Sequence, residues 1–184
     1  VIVCEPIVHG DERGYFSETY RKDKLESFLG YALDFCQDNE SKSTKGVLRG
    51  LHFQLPPFAQ SKLVRVIEGE VLDVAVDIRQ GSPTFGQHVT VRLTGENKHQ
   101  LFIPRGFAHG FLVLSDTATF AYKVDNYYSP ECGRGLAFND PVVGIDWGLP
   151  LDQLKLSEKD LKQPRLSEIE DECLAFHYQS KLYG

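Results

Sequence analysis

The sequence of 184 residues contains no methionine, even at position 1, and only one tryptophan. The absence of an initiating methionine leads us to expect that the natural protein begins further upstream. Four cysteines are present and no two of them form a Cys-x-x-Cys pair: Cys4, Cys36, Cys132 and Cys173. Because zinc ribbons and disulfide frameworks need characteristically spaced cysteines, this pattern argues against both and favours a reducing, cytoplasmic environment.

The sequence also lacks an excess of positive charge and any long apolar run. Lys and Arg total 20 against 26 Asp and Glu, which gives a formal net charge of -6 and a pI near 5.5. A general nucleic-acid binder needs a basic surface to displace counterions from phosphates, so that class is disfavoured. No apolar stretch approaches the ~20 residues that span a bilayer, and no signal-peptide pattern is visible. We expect one soluble domain over residues 1–184.

The most informative segment is 46–54, which places a cationic Arg49 and a titratable His52 among apolar residues. On an ideal strand, two residues three positions apart point to opposite faces. Gly50 must therefore bend or bulge the strand if both side chains serve one site. The alternative is a hydrogen-bonded core histidine beside a surface arginine, and the segment alone favours neither reading.

A second apolar run, 101–114, contains His109. Two histidines in two apolar strands suggest one pocket, to which His52 and His109 both contribute. His88 and His99 have polar, hairpin-like surroundings typical of surface residues. No His-x-His pair occurs and no carboxylate stands at ligand spacing, so we expect no metal site.

Short segments with strand character fill most of the chain. A helix is predicted over 21–29 with Gly30 as its C-terminal cap, and 62–67 and 70–78 are predicted to form a hairpin around Gly69. Further strands are predicted over 1–8, 88–93, 100–103, 110–114, 119–126 and 135–138, and a short helix over 157–162. Many short strands predict a mainly β sandwich or barrel.

Several separated motifs carry a resemblance to a known family. They include Asp11-Glu-Arg-Gly-Tyr-Phe-Ser-Glu18, the segments around His52 and His109, Tyr122-Lys-Val-Asp-Asn-Tyr-Tyr128-Ser-Pro and Leu156-Ser-Glu-Lys-Asp160. In their order and spacing, from about Glu5 to Arg165, they resemble the dTDP-4-dehydrorhamnose 3,5-epimerase family. The resemblance implies a double-sheet jelly-roll barrel of the cupin type, a dTDP-sugar substrate, no cofactor, and a homodimer that could share its N-terminal strand. The tail over 170–184 lies beyond it and is assigned no function.

The resemblance also implies a role for each candidate residue. Epimerisation next to a ketone proceeds through an enolate, so it needs a base, a partner for the enolate oxygen and an acid on the opposite face. His52 is implied as the base and Asp160 as the residue that holds its tautomer. Lys62 is implied as the cation beside the enolate oxygen and Tyr122 as the acid. The implied substrate-binding residues are Arg13, Glu18, Gln37, Asp38, Asn39, Arg49, His109, Tyr128 and Lys159.

Structural alternatives remain open for these residues. Asp160 also fits a capping-box-like helix start at Ser157, and without the resemblance the capping role is favoured. Tyr122 could be a core tyrosine and Lys62 an ordinary lysine in water. Gly133 stands where the family commonly has a glutamate, which puts one substrate contact in doubt. Two other functions are a single-site epimerase of another deoxysugar pathway and a non-catalytic sugar-nucleotide-binding module.

Overall fold

The computed structural model describes residues 1–169 and 175–183. In this part of the chain the strands are β1 (Ile2–Cys4), β2 (Val8–Asp11), β3 (Gly14–Ser17), β4 (Gln37–Thr44), β5 (Leu48–Gln54), β6 (Lys62–Glu68), β7 (Glu70–Asp77), β8 (His88–Thr94), β9 (Gln100–Ile103), β10 (Phe107–Val113), β11 (Thr117–Val124) and β12 (Gly133–Gly135). The helices are α1 (Lys22–Leu29) and α2 (Glu158–Leu161), with single 3-10 turns at Pro130–Cys132, Leu151–Gln153 and Leu166–Glu168.

Two five-stranded antiparallel sheets form the body of the molecule. The first has the strand order β1-β9-β6-β11-β4 and the second the order β12-β5-β10-β7-β8, while β2 and β3 make a separate hairpin. This confirms the predicted mainly β jelly-roll architecture. Among the described residues, no helix has the length and apolar character needed to span a membrane.

The second sheet is covered on both faces. Val71 and Ala75 of β7 belong to an apolar cluster shared with strands of the first sheet. Val74 and Val76 pack in another cluster on the opposite face, against segments that follow β12. Because successive residues of a strand alternate, Asp73 lies on the face of Val71 and Ala75, between the sheets. β7 therefore packs against apolar side chains on both faces, and Asp73 lies in the space between the two sheets.

The predicted hairpin around Gly69 is wrong. β6 pairs with β11 and β9, whereas β7 pairs with β10 and β8, so the two consecutive strands belong to different sheets. Gly69 has a φ of 85°, and a Cβ atom there would collide with the carbonyl oxygen of Thr117. Only glycine allows the chain to cross between sheets so tightly. Period-2 alternation predicts the faces of a strand but not its partners.

The strand predicted over residues 1–8 is shorter in the structure, and a second strand begins only at its last residue. β1 ends at Cys4 and β2 begins at Val8, and Pro6 lies between them. Proline has no N–H to donate to a ladder, which accounts for the break. The helix prediction is confirmed, since Gly30 follows α1 in the left-handed conformation and donates its N–H to the Glu26 carbonyl oxygen.

The remaining strand predictions differ mainly at the boundaries. β10 begins at Phe107, before the predicted start at residue 110, so His109 lies inside the strand. β12 covers Gly133–Gly135, where a strand was predicted over 135–138. The short C-terminal helix is confirmed as α2, with Ser157 as its N-cap.

Part of the unassigned tail lies against the body of the molecule. Phe176 is buried, and its ring meets that of Phe53 edge-on with centroids 6.4 Å apart. The hydroxyl of Tyr183 hydrogen bonds to Ser61 Oγ at 2.7 Å. Residues 170–174, including Cys173, and Gly184 lie outside the described residues.

Candidate active site

A cavity of about 650 Å³ opens where the two sheets and the segment before α2 meet. This volume lies in the range of small-molecule sites, roughly 300–1,000 Å³. Its lining consists of Asn39, Glu40, Ser41, Val47, Leu48, Arg49, His52, Lys62, His109, Phe111, Phe120, Tyr122, Lys155, Leu156, Ser157, Lys159 and Asp160. The structure therefore brings together the four residues for which catalytic roles were implied.

Arg49 and His52 line the same cavity because β5 contains a bulge between them. In the pairing of β5 with β10, His52 faces His109, whereas Arg49 faces Phe111. Two residues of β5 thus oppose one residue of β10 between these pairs. The extra residue brings Arg49 to the side of His52, as the sequence predicted.

Gly50 makes this bulge possible. Its φ of 132° is open mainly to glycine. A Cβ atom at this position would also lie 2.5 Å from the Cα of Gly110 on the neighbouring strand. The close approach of two glycine backbones therefore holds the bulge in place.

His52 and Asp160 form a hydrogen-bonded pair. His52 Nε2 lies 2.5 Å from Asp160 Oδ1, and the side chains are 40% and 6% exposed, respectively. An ionised carboxylate can only accept, so Nε2 carries the proton and Nδ1 remains available as an acceptor. The imidazole is thus exposed to the cavity while its carboxylate partner is buried.

Asp160 makes a contact that fits each of the two alternatives that the sequence left open. Its backbone N–H donates to Ser157 Oγ at 3.2 Å, which is the capping contact. Ser157 Oγ in turn donates to Asp160 Oδ2 at 2.9 Å, while Oδ1 serves His52. Burial raises the pKa of Asp160, but the hydrogen bonds from His52 and Ser157 outweigh it and hold the pKa below its usual value. Asp160 is therefore ionised at neutral pH.

A second histidine–carboxyl pair, His109 and Asp73, was missed by the sequence analysis. His109 Nε2 lies 3.1 and 3.0 Å from the two carboxyl oxygens of Asp73, and both side chains are buried. Burial lowers the pKa of His109, Asp73 opposes this shift, and the positive charge of Lys62 adds to it. The available signal for Asp73 was an acidic residue flanked by apolar residues within a predicted strand.

Lys62 lines the cavity from β6, in the first sheet. Its Nζ donates to the backbone carbonyl oxygen of His52 at 3.4 Å. Burial lowers the pKa of Lys62 to about 8, and the negative charge of Asp73 opposes the shift. Lys62 is therefore still protonated at neutral pH, as a poorly hydrated cation close to the backbone of His52.

Tyr122 also reaches the cavity from the first sheet, on β11. His52 belongs to the second sheet, so the two side chains enter the cavity from opposite sheets. Burial raises the pKa of Tyr122, although the charge of Arg49 partly offsets this. The phenol is accordingly protonated at neutral pH and can act as a proton donor.

The cavity also has an aromatic wall that the sequence analysis did not identify. The rings of Phe111 and Phe120 are stacked with centroids 4.0 Å apart, and the His109 ring lies 6.2 Å from Phe120. Phe111 and Phe120 come from β10 and β11 in different sheets. Apolar aromatics in strands are common in cores, so only their position between the sheets identifies them.

Three of the implied substrate-binding residues besides His109 line the cavity: Asn39, Arg49 and Lys159. Arg49 Nε donates to Ser43 Oγ at 3.1 Å, which orients the guanidinium. Lys159 extends from α2, one residue before Asp160.

In a single copy of the chain, the other implied binding residues lie outside this cavity. Arg13 is exposed on the β2–β3 hairpin, where its guanidinium pairs with Asp11. Glu18 pairs with Lys24 at 3.2 Å, and Asp38 accepts from Lys123 Nζ at 2.9 Å.

Gln37 and Tyr128 lie close to each other, also outside the cavity lining. Gln37 Nε2 donates to Asn39 Oδ1 at 2.8 Å, and its Oε1 accepts from the backbone N–H of Tyr128 at 3.3 Å. Gly133 faces Gln54 in the β12–β5 pairing and does not line the cavity either. Among residues 1–169 and 175–183, no group of three or more His, Cys, Asp or Glu side chains is placed to hold a metal ion.

Comparison with known proteins gives consistent matches over most of the chain. A family model described as dTDP-4-dehydrorhamnose 3,5-epimerase matches residues 1–168. The dTDP-4-dehydrorhamnose 3,5-epimerase of Shigella flexneri is 56% identical over 161 residues, which cover 88% of this chain and 88% of the relative.

Two solved structures are similar in fold as well as in sequence. The dTDP-6-deoxy-D-glucose-3,5-epimerase from Legionella pneumophila Philadelphia 1, in complex with dTDP-4-keto-L-rhamnose, has 53% identity and a TM-score of 0.92, covering 97% of this chain and 93% of that chain. A 3'-monoepimerase from Streptomyces bikiniensis, in complex with dTDP-quinovose, has 34% identity and a TM-score of 0.88, covering 96% and 89%.

Proposed function

The chain belongs to the dTDP-4-dehydrorhamnose 3,5-epimerase family, and we propose that the cavity between its sheets is the site of its reaction. The chain is an isomerase that converts dTDP-4-dehydro-6-deoxy-D-glucose to dTDP-4-dehydro-L-rhamnose by epimerisation at C3 and C5. The observation that carries the site assignment is the His52–Asp160 pair entering the cavity from one sheet while Tyr122 enters from the other.

His52 is the general base. Asp160 accepts from Nε2–H, so the unprotonated Nδ1 removes the proton next to the keto group. The buried carboxylate then stabilises the imidazolium that forms. Asp160 is therefore a positioning residue, and Ser157 holds it in turn through Oδ2.

Lys62 stabilises the enolate oxygen. A cation that has already lost most of its water requires little reorganisation when negative charge develops beside it. Tyr122 protonates the enolate from the opposite face, and inversion of the carbon results because the proton leaves and returns on different sides. His109, kept neutral by burial, binds a sugar hydroxyl through Nδ1 while its Nε2 is hydrogen bonded to Asp73.

The diphosphate of the substrate binds to cations at the cavity wall. Arg49 and Lys159 line the cavity. Arginine can bind phosphate oxygens with two N–H groups, and lysine adds a point charge. Asn39 is placed to hydrogen bond to the nucleoside or the sugar.

We assign the remaining implied binding residues to a binding site that two copies of the chain form together in a homodimer. The β2–β3 hairpin carries Arg13. The apolar side chains of Tyr15 and Phe16 in this hairpin are 63% and 66% exposed, and Ile7, just before it, is 71% exposed. Such a cluster is unfavourable in water and is typical of an interface. A second copy of the chain would cover it and bring Arg13 to the neighbouring cavity. Near this interface between the two copies, further contacts to the nucleotide are made by Glu18, Gln37, Asp38 and Tyr128.

A cytoplasmic location is consistent with the cysteines. Cys4, Cys36 and Cys132 are free thiols, which a reducing compartment preserves.

The function is tested by incubation with dTDP-4-dehydro-6-deoxy-D-glucose in deuterated water, followed by mass spectrometry and NMR of the sugar. We expect deuterium at both C3 and C5 together with formation of the L-rhamno product. Deuterium at one carbon only would identify a single-site epimerase, the activity named for the relative that is 34% identical. Binding of dTDP without any exchange would identify a non-catalytic module.

A further inference from the structure

Lys155 lines the cavity although it belongs to no motif that the sequence analysis singled out. Its backbone forms a parallel bridge with Val47, just before β5. The Lys155 N–H donates to the Gly46 carbonyl oxygen at 2.8 Å, and the Lys155 carbonyl oxygen accepts from Leu48 N–H at 3.0 Å. These two bonds fix its Cα relative to β5, the strand that carries Arg49.

The contact between this segment and Gly46 is close. A Cβ atom at Gly46, whose φ is 81°, would lie 2.5 Å from the carbonyl oxygen of Gln153. The segment can therefore reach β5 only because residue 46 is glycine. Lys155 is in this way held at the cavity wall by backbone contacts, and the residue is exposed.

The charge of the cavity lining differs in sign from that of the whole chain. Four cations line it, Arg49, Lys62, Lys155 and Lys159, against two carboxylates, Glu40 and Asp160. The chain as a whole has a formal charge of -6. A net positive cavity in an acidic protein indicates an anionic ligand.

Three of the other charged groups of the cavity have hydrogen-bond partners within the protein. Asp160 is bonded to His52 and Ser157, Lys62 lies beside the His52 backbone, and Arg49 donates to Ser43. Within residues 1–169 and 175–183, no carboxylate lies within 4.0 Å of the ammonium groups of Lys155 and Lys159. These two lysines are therefore available to a bound anion.

We propose that Lys155 binds the diphosphate of the substrate, as a third cation beside Arg49 and Lys159. This inference rests on the proposed function and adds a residue to its binding site. Because an exposed ammonium acts as a mobile point charge, its contribution falls on the charged part of the ligand and not on the nucleoside. It also weakens as salt is added.

The test compares Lys155→Gln with Lys162→Gln by calorimetric titration with dTDP and with thymidine. Lys162 is the matched control, because it is an exposed lysine directly after α2 that pairs with Glu158 at 3.9 Å and does not line the cavity. We expect Lys155→Gln to weaken dTDP binding by roughly 3- to 10-fold, the effect of one partly solvated charge contact. Thymidine binding should stay within a factor of about two, and Lys155→Arg should restore dTDP binding.

Several outcomes would overturn the proposal. The proposal fails if Lys155→Gln binds dTDP with wild-type affinity, or if it loses affinity for dTDP and thymidine equally. It also fails if Lys162→Gln loses as much affinity for dTDP as Lys155→Gln does. In each of these cases dTDP binding by the wild-type protein and deuterium exchange into the keto sugar would still stand, so the proposed function would survive. A wild-type protein that binds no dTDP and exchanges no deuterium would overturn both.

Discussion

His52 lies directly opposite His109 in the pairing of β5 with β10, and each imidazole is bonded to a different carboxyl group. The His52 side chain is 40% exposed, whereas that of His109 is only 7% exposed. Two histidines that are direct cross-strand partners therefore have different environments. The accessible pair suits proton transfer, and the buried pair suits a fixed hydrogen bond to the substrate.

Replacing His52 with asparagine should abolish proton exchange at both sugar carbons, because the variant lacks the proposed general base. Loss of a general base costs roughly 10²- to 10⁴-fold in rate. Affinity for dTDP should stay within about threefold, since the nucleotide is held by other residues. Exchange is followed by NMR in deuterated water, with His88→Asn as the control because His88 lies on β8 outside the cavity. Normal turnover in His52→Asn would exclude His52 as the base.

Replacing Tyr122 with phenylalanine should separate exchange from inversion. His52 can still remove the proton, but the acid on the opposite face is gone, so deuterium enters with retained configuration. Net epimer formation should fall by roughly 10²- to 10⁴-fold, while exchange persists. Isotope incorporation and product stereochemistry are measured on the same sample, with the exposed Tyr127→Phe as control. If exchange and inversion stayed near normal together, Tyr122 would be a core tyrosine and the acid would be another group.

The pH dependence should report the lowered pKa of Lys62. Burial lowers that pKa to about 8, so the cation that stabilises the enolate is present below this pH and lost above it. We expect kcat/KM, which reports the free enzyme, to decline as pH rises through about 8. Lys62→Arg, which remains charged, should move the decline to higher pH at a reduced maximal rate. An identical alkaline limb in Lys62→Arg and the wild-type protein would assign the titration to a different group.

The two contacts of Asp160 can be separated by substitution. Asp160→Asn should lower kcat by about 10²-fold or more, because a neutral amide can donate as well as accept, so it neither fixes the His52 tautomer nor stabilises the imidazolium as the carboxylate does. Ser157→Ala removes the helix cap and should lower the free energy of unfolding by roughly 0.5–2 kcal/mol with a smaller effect on kcat. Thermal melts and initial rates of both variants check this. A large loss of stability with little change in kcat in Asp160→Asn would show that the carboxylate mainly holds the structure around Ser157 and does not serve His52.

Activity should survive exhaustive chelation, since no set of metal ligands was found in the sequence or in the described residues. Initial rates are compared before and after prolonged dialysis against EDTA. Loss of activity that a single added metal restores would contradict this expectation and point to a metal-dependent cupin.

Prediction from sequence was most successful where a property is local. The helix over 22–29 followed from the spacing of apolar residues and the glycine at its end, and the bulge at Gly50 followed from the need to bring Arg49 and His52 together. The hairpin around Gly69 was wrong because its two strands pair with partners distant in the chain. Boundaries such as the start of β10 depend on those partners as well.

The sequence by itself determined the mainly β fold, the family and the residue types available for the reaction. Their assembly into one site depends on the tertiary structure, because His52 and Asp160 are separated by 108 residues in the chain and meet only when α2 packs beside β5. Asp73 and Lys155 gained their positions in the same way, through strand pairing and backbone bonds to distant segments. Periodicity along a chain specifies which face a side chain occupies. Which other side chains share that space is decided only by long-range pairing and packing.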